Sequence, residues 1–144
     1  MSQPQSIPDR ALSIRCPWQW FVLHGGKDVE NRKRWTSYRG TVLVHASSWW
    51  QPLSILQHLC AFSPLAKATT GRETTLADLQ KEAGCIVGMV DIVDCVTKVE
   101  SPWFFGPYGY SLANPIPFKR PVPCKGALGF FRVPADVLAQ LEVA

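Results

Sequence analysis

The spacing of apolar and polar residues along this chain changes period several times, and each change predicts an element. Ala11-Leu-Ser-Ile-Arg15 alternates, as a half-buried strand does. Pro17 then takes a first-turn position. Trp18, Phe21 and Val22 follow at spacings of three and four, and Gly25-Gly26 closes the run, which predicts a short helix over 17–24. Lys27 to Arg32 reads as extended, with Lys27, Val29 and Asn31 on one face and Asp28, Glu30 and Arg32 on the other. Lys33 to Ser37 reads as a loop, and Gly40-Thr-Val-Leu-Val-His-Ala46 as a buried strand that brings His45 to its end.

Ser47-Ser48 offers caps for a helix over about 49–60, where Trp49, Leu53, Leu56 and Leu59 stand near helical spacing. A loop over 61–74 follows, then a helix from Leu76 to Glu82 stopped by Gly84. Cys85 to Val96 is a long, near-continuous apolar run, as in a strand buried on both faces, with Gly88 a bulge or bend position. Residues 101–110 are dense in aromatic and turn residues and predict a loop, either a satellite core or a surface for stacking bases. Ser111 to Asn114 is strand-like, and the prolines at 115, 117, 121 and 123 are expected to break regular pairing. A last strand is expected over Lys125 to Val133, with a terminal helix from Pro134 through Leu141.

This order favours an α+β fold, a compact and mostly antiparallel barrel with helices packed outside. One domain over residues 11–144 accounts for the length, and the polar, proline-containing residues 1–10 are expected to form a disordered lead-in. Hydrophobic content of 47% with 18% charged residues is that of a globular chain. No apolar run approaches the roughly 20 residues that a membrane helix needs. Five cysteines, an odd number at irregular spacing without any Cys-x-x-Cys pair, predict reduced thiols and a cytoplasmic setting; Cys85 and Cys95 fall in apolar, strand-like sequence. Three histidines spaced 21 and 13 apart fit no helical ligand pair, so neither a metal nor another cofactor is expected.

Charge changes the picture. Residues 1–40 carry seven basic and three acidic side chains, whereas 41–144 carry eight of each, so the whole net charge of +4 sits in the first quarter. Between His24 and Gly40 stand Lys27, Arg32, Lys33, Arg34 and Arg39, with Trp35 and Tyr38 interleaved. That concentration suits a phosphate-facing surface, and a solvated loop of mixed charge is its plain alternative.

Ala11-Leu-Ser-Ile-Arg-Cys-Pro-Trp18, Gly26-Lys-Asp-Val-Glu-Asn-Arg32, Tyr38-Arg-Gly40 and His45-Ala-Ser47 together resemble the ASCH domain. Gly88-Met-Val-Asp-Ile-Val-Asp-Cys95 and Pro123-Cys-Lys-Gly-Ala-Leu-Gly-Phe130 extend the resemblance, which spans about residues 11–133. It implies a PUA-like β-barrel with flanking helices and a cleft beside the Gly26–Arg32 segment. It also implies association with RNA, and for some members hydrolysis of RNA or removal of an acyl group from modified cytidine. The acyl-removing branch carries a catalytic threonine three residues after the lysine; here that position is Glu30.

Within that frame Lys27, after two glycines, is either a phosphate-anchoring cation or, with Glu30, an acid/base pair. Glu30 serves a nucleobase edge or orients a neighbouring cation. Arg32 and Arg39 offer the planar fork that suits phosphate, with Lys33 and Arg34 beside them. The resemblance places Lys125 as a second cleft cation. Trp103 and Tyr108 are the stacking residues expected for single-stranded RNA. Ser13 and Ser47 are conceivable hydroxyl nucleophiles. Three readings follow: an RNA-binding domain with a basic cleft around Gly26–Arg32 that hydrolyses RNA if it is an enzyme, an amidohydrolase of an acylated or modified nucleoside, and a non-catalytic protein-interaction domain using the aromatics of 101–110.

Overall fold

The computed structural model describes residues 6–50 and 76–144. The elements run β1 (Arg10–Cys16), α1 (Trp18–His24), β2 (Val29–Arg32), β3 (Gly40–Trp50), α2 (Leu76–Glu82), β4 (Cys85–Val96), β5 (Tyr108–Pro123), β6 (Phe130–Arg132) and α3 (Ala135–Leu138). The strands form one sheet in the order β2-β5-β4-β3-β1-β6. Only β1 and β3 pair in parallel; the other neighbours are antiparallel. The chain is thus α+β with a mostly antiparallel, barrel-like sheet.

Alternation in β1 and β3 divides the core. Leu12 and Ile14 share a cluster with Val42, Val44, Tyr110 and, from α1, Val22 and Leu23. Tyr110 on β5 reaches Leu12's cluster although two strands separate β5 from β1, so the sheet is curled around this interior. Ala11 and Leu43 face the opposite way, where Val137 and Leu141 cover them. A fully buried Phe21 or Ile86 contributes about 1.5–3 kcal/mol through the apolar surface it removes from water. β4 is buried on both faces only from Cys85 to Ile92, Val93 to Val96 running out toward solvent, and the pairing on both of its sides shifts register near Gly88. A Cβ at Gly88 would lie 2.6 Å from the Ile116 carbonyl oxygen, so strand proximity demands glycine there.

Several elements depart from the sequence expectation. β3 continues to Trp50, so the first residues of the expected 49–60 helix are strand; the remainder of it, and the 61–74 loop, lie outside the described residues. β5 is unbroken from Tyr108 to Pro123 despite its prolines. The physical reason is that β2 covers only Tyr108–Ser111, so the later stretch ladders with β4 alone, and bulges absorb register shifts. The last strand shrinks to Phe130–Arg132 because residues 124–129 form a loop, and the terminal helix keeps only Ala135–Leu138. Within the expected lead-in, Ile7 packs on the core and Asp9 pairs with Arg132 at 2.7 Å, so residues 6–10 are held by the fold. Cys16 and Cys85 are buried free thiols, and burial pushes Cys16 up to about 11, which keeps it unreactive. Among the described residues no helix is long and apolar enough to cross a membrane.

On α2, Glu82 stands one turn after Asp78 beside a cavity of about 250 Å³ that Trp20, His24, Lys119 and Arg120 also line. Burial, and then the Asp78 charge, push the Glu82 carboxyl up to about 7. The folded chain therefore holds this proton more tightly than the unfolded chain, and the group's contribution to stability, complete below about pH 4.5, is lost as pH rises to about 7. Glu82→Gln is expected to be more stable than wild type at pH 8 and equal to it at pH 4. Urea denaturation at both pH values measures this, and a pH-independent difference contradicts it.

Candidate functional site

The two ends of the sheet come together at Ser13. β6 pairs with β1 only through Leu12. Beyond it, the Ser13 amide donates to the Gly129 carbonyl at 3.1 Å, and the Ser13 carbonyl accepts from Arg32 Nη2 on β2. A side chain, in place of a backbone ladder, thus closes the seam between β1 and β2.

On the β2 side of the seam, Lys27, Glu30 and Arg32 form a charged triad. Lys27 precedes the strand, so period-two alternation does not bind it. The positive φ of Gly26 (73°) turns the chain, the Lys27 amide donates to the Phe21 carbonyl, and the side chain folds back so that Nζ donates to the Val29 carbonyl. Lys27 and Glu30, expected on opposite faces, consequently meet, with Nζ 3.6 Å from Glu30 Oε2. Arg32 Nε lies 3.5 Å from Glu30 Oε1. Lys27 and Glu30 are 6% and 9% exposed, so this ion contact sits largely out of water. Glu30 Oε2 and Arg32 Nε are buried and make no hydrogen bond among the described residues. Polar atoms in that condition are costly, and they are well suited to a ligand that supplies a donor and an acceptor.

Across the seam, Ser13 and His45 are register partners on the parallel strands β1 and β3. His45 Nε2–H donates to the Cys124 carbonyl at 2.9 Å, which leaves Nδ1 to accept the Ser13 hydroxyl at 3.0 Å. Burial pushes the His45 imidazole below its ordinary range, and the carbonyls of Cys124 and Gly84 partly oppose this. Phe131 meets the ring edge-on at 5.4 Å. Gly126 lies so close that a Cβ there would stand 2.4 Å from His45 Cε1. His45 therefore fastens the 124–129 loop, with its exposed Lys125, to the same serine that Arg32 holds by the carbonyl.

The remaining expected residues fall into different environments. Lys33 and Arg34 are exposed beside the triad. Arg39 is taken up by structure: Nη1 donates to the Thr36 and Tyr38 carbonyls, each at 2.9 Å, and Nη2 lies 3.6 Å from Asp94. Trp103 is 3% exposed, with its ring 5.7 Å from Phe21, so it belongs to the satellite core and offers no face for stacking. Tyr108 opens β5 opposite Arg32 and is half-buried. Asn31 organises the aromatic loop, donating to the Trp103 carbonyl at 2.9 Å and accepting from the Phe105 and Gly106 amides at 2.8 and 3.1 Å. Among the described residues no group of His, Cys, Asp and Glu is arranged to hold a metal ion.

The sequence reading counted Tyr110 with the aromatic loop, whereas it is a buried residue of β5 that sends its hydroxyl to the Arg34 carbonyl at 3.3 Å. Burial pushes its phenol up, Arg32 pulls it down, and Cys95 and Glu30 add to the rise. The signal for it was the alternation Tyr108-Gly-Tyr110, a strand start hidden among turn residues.

Activating signal cointegrator 1 of Homo sapiens is 25% identical over 123 residues, covering 80% of this chain and 20% of that protein. Its Mus musculus counterpart is 28% identical over 87 residues, covering 60% of this chain and 14% of that protein. The chain thus spans a fifth or less of the length of these relatives. The family model of the ASCH domain matches residues 12–106, from β1 through the triad and β4 into the aromatic loop. The chain belongs to the ASCH domain family.

Proposed function

We propose that this chain binds RNA at the seam between β1 and β2, with Lys27, Glu30 and Arg32 as the floor and Lys33, Arg34 and Lys125 as the cationic rim. The observation that carries this reading is the triad, buried at Lys27 and Glu30, whose buried atoms Glu30 Oε2 and Arg32 Nε make no hydrogen bond among the described residues, set beside exposed cations. Exposed lysine and arginine supply the salt-sensitive attraction to phosphate. A buried carboxylate beside a guanidinium supplies an acceptor and a donor for a nucleobase edge. Binding suits the triad better than hydrolysis, because Lys27 is engaged by both the Val29 carbonyl and Glu30.

RNA affinity measured across salt concentration tests the proposal. Wild type is expected to bind single-stranded RNA with a linear fall of log affinity against log salt. Each of Lys33→Ala and Arg34→Ala is expected to reduce that slope by about 0.7. Absence of binding, or affinity indifferent to salt and to both substitutions, refutes it. Incubating wild type and Lys27→Ala with RNA and with acylated nucleosides separates hydrolysis from binding: turnover lost in Lys27→Ala assigns chemistry to the floor.

A further inference from the structure

Trp35 is 57% exposed, an unusual state for the largest apolar side chain. It stands in the segment between β2 and β3, directly after Lys33 and Arg34. Lys33 and Arg34 are exposed and make no ion pair among the described residues, so their charge is available to an anion. Although irregular, the segment is braced. The Tyr38 amide donates to the Thr36 hydroxyl oxygen at 3.1 Å, and the Tyr38 hydroxyl donates to the Thr41 carbonyl at 2.7 Å. Tyr110 donates to the Arg34 carbonyl, and Arg39 spans the Thr36 and Tyr38 carbonyls. Tyr38 is anchored further by Phe130, ring to ring at 5.4 Å, and by the Arg10 guanidinium 4.8 Å from its ring. The Arg39 guanidinium sits 6.0 Å from the Trp35 ring, the ring's one aromatic or cation contact among the described residues.

A segment that spends this many contacts on holding its backbone, yet leaves its indole in water, has already met the ordering cost that binding exacts from a flexible aromatic. Phe105 is also exposed, but its neighbours in sequence, from Pro102 to Pro107, include no lysine or arginine. Among the described residues, Trp35 alone of the exposed large apolar side chains follows two unpaired cations in sequence. We propose that Trp35 is a base-stacking platform: it receives a nucleobase of single-stranded RNA on its indole face while Lys33 and Arg34 contact the flanking phosphates. The inference rests on the RNA reading of the seam and adds to it the requirement for an unpaired, unstacked base. It also moves the stacking role from Trp103, which is in the core, to the segment that carries the charge.

Fluorescence anisotropy with a labelled twelve-nucleotide oligoadenylate, beside an abasic twelve-mer with the same backbone, tests this. Trp35→Ala is expected to weaken oligoadenylate binding about 5- to 150-fold, the range that loss of one stacked base gives, with the salt slope unchanged. Trp35→Phe is expected to recover most of that loss, and the abasic strand to bind wild type and Trp35→Ala equally. Because the side chain is exposed, the variants keep the fold, and circular dichroism checks this. Equal affinity of wild type and Trp35→Ala for oligoadenylate, or an equal loss on the abasic strand, overturns the platform while leaving the seam reading intact. Failure of wild type to bind either strand overturns both.

Discussion

Glu30→Ala is expected to cost about 3–5 kcal/mol of stability, the size associated with stranding a buried charge. The substitution leaves Lys27 Nζ, on a residue 6% exposed, without the carboxylate 3.6 Å away, and it frees Arg32 Nε from the same group. The cost is that of an uncompensated ammonium, so removing both charges is expected to cost far less than removing one. The Lys27→Met, Glu30→Leu double variant should recover most of the loss. Urea denaturation of the two variants beside wild type decides the point. A Glu30→Ala loss below about 1 kcal/mol shows that the pair is solvated, because exposed ion pairs contribute about that or less.

His45→Ala is expected to cost about 2–4 kcal/mol, since it strands the Cys124 carbonyl and the Ser13 hydroxyl and opens a space beside Phe131. Gly126→Ala attacks the same contact from the loop. Its Cβ would overlap the ring at 2.4 Å, and overpacking of this kind costs about 1–3 kcal/mol. Thermal unfolding of both single variants and of the double variant checks the assignment. In the double variant the alanine at 126 meets no imidazole, so the two losses should combine to less than their sum. Strict additivity shows that Gly126 and His45 act independently.

Much of this fold is legible in the sequence, for identifiable reasons. β1, β3 and β4 announce themselves because each buries one period-matched face or two, and α1 because its apolar run, buried from Gln19 to Leu23, is bounded by Pro17 and Gly25. Gly88 stands out in an apolar strand because glycine there permits a bend or a close approach, and the structure shows both a register shift and the contact with Ile116. β5 is less legible, since proline rules describe a strand laddered on both sides, and past Ser111 this one ladders with β4 alone, its other edge meeting only Asp28 and the chain end at residues 142–144. The short β6 and α3 lie where Cys124 to Gly129 serves as a clasp, and a tertiary contact to His45 leaves no periodic trace.

The candidate site divides along similar lines. The charge concentration identifies Lys27, Glu30, Arg32, Lys33 and Arg34, but alternation separates Lys27 from Glu30 because it presumes a strand that starts too early. Charge counting also ranks Arg39 with Arg34, although one is spent on carbonyls and Asp94 and the other makes no ion pair among the described residues. Aromatic counting favours the 101–110 loop over Trp35 because residue type is visible in a sequence and burial is not. Trp103 and Trp35, at 3% and 57% exposure, are the measure of that difference.

The seam at Ser13 has a consequence for the molecule among its own copies. A strand at the end of a sheet is a template on which another chain can add, and β2 is such an end strand. Its own Arg32 crosses the gap to the Ser13 carbonyl on β1, and beside it a lysine and a glutamate are turned inward. An incoming strand would have to strip that buried charge of its contacts before it could form a ladder. The residues that equip the seam to receive a ligand therefore also guard the sheet against self-association.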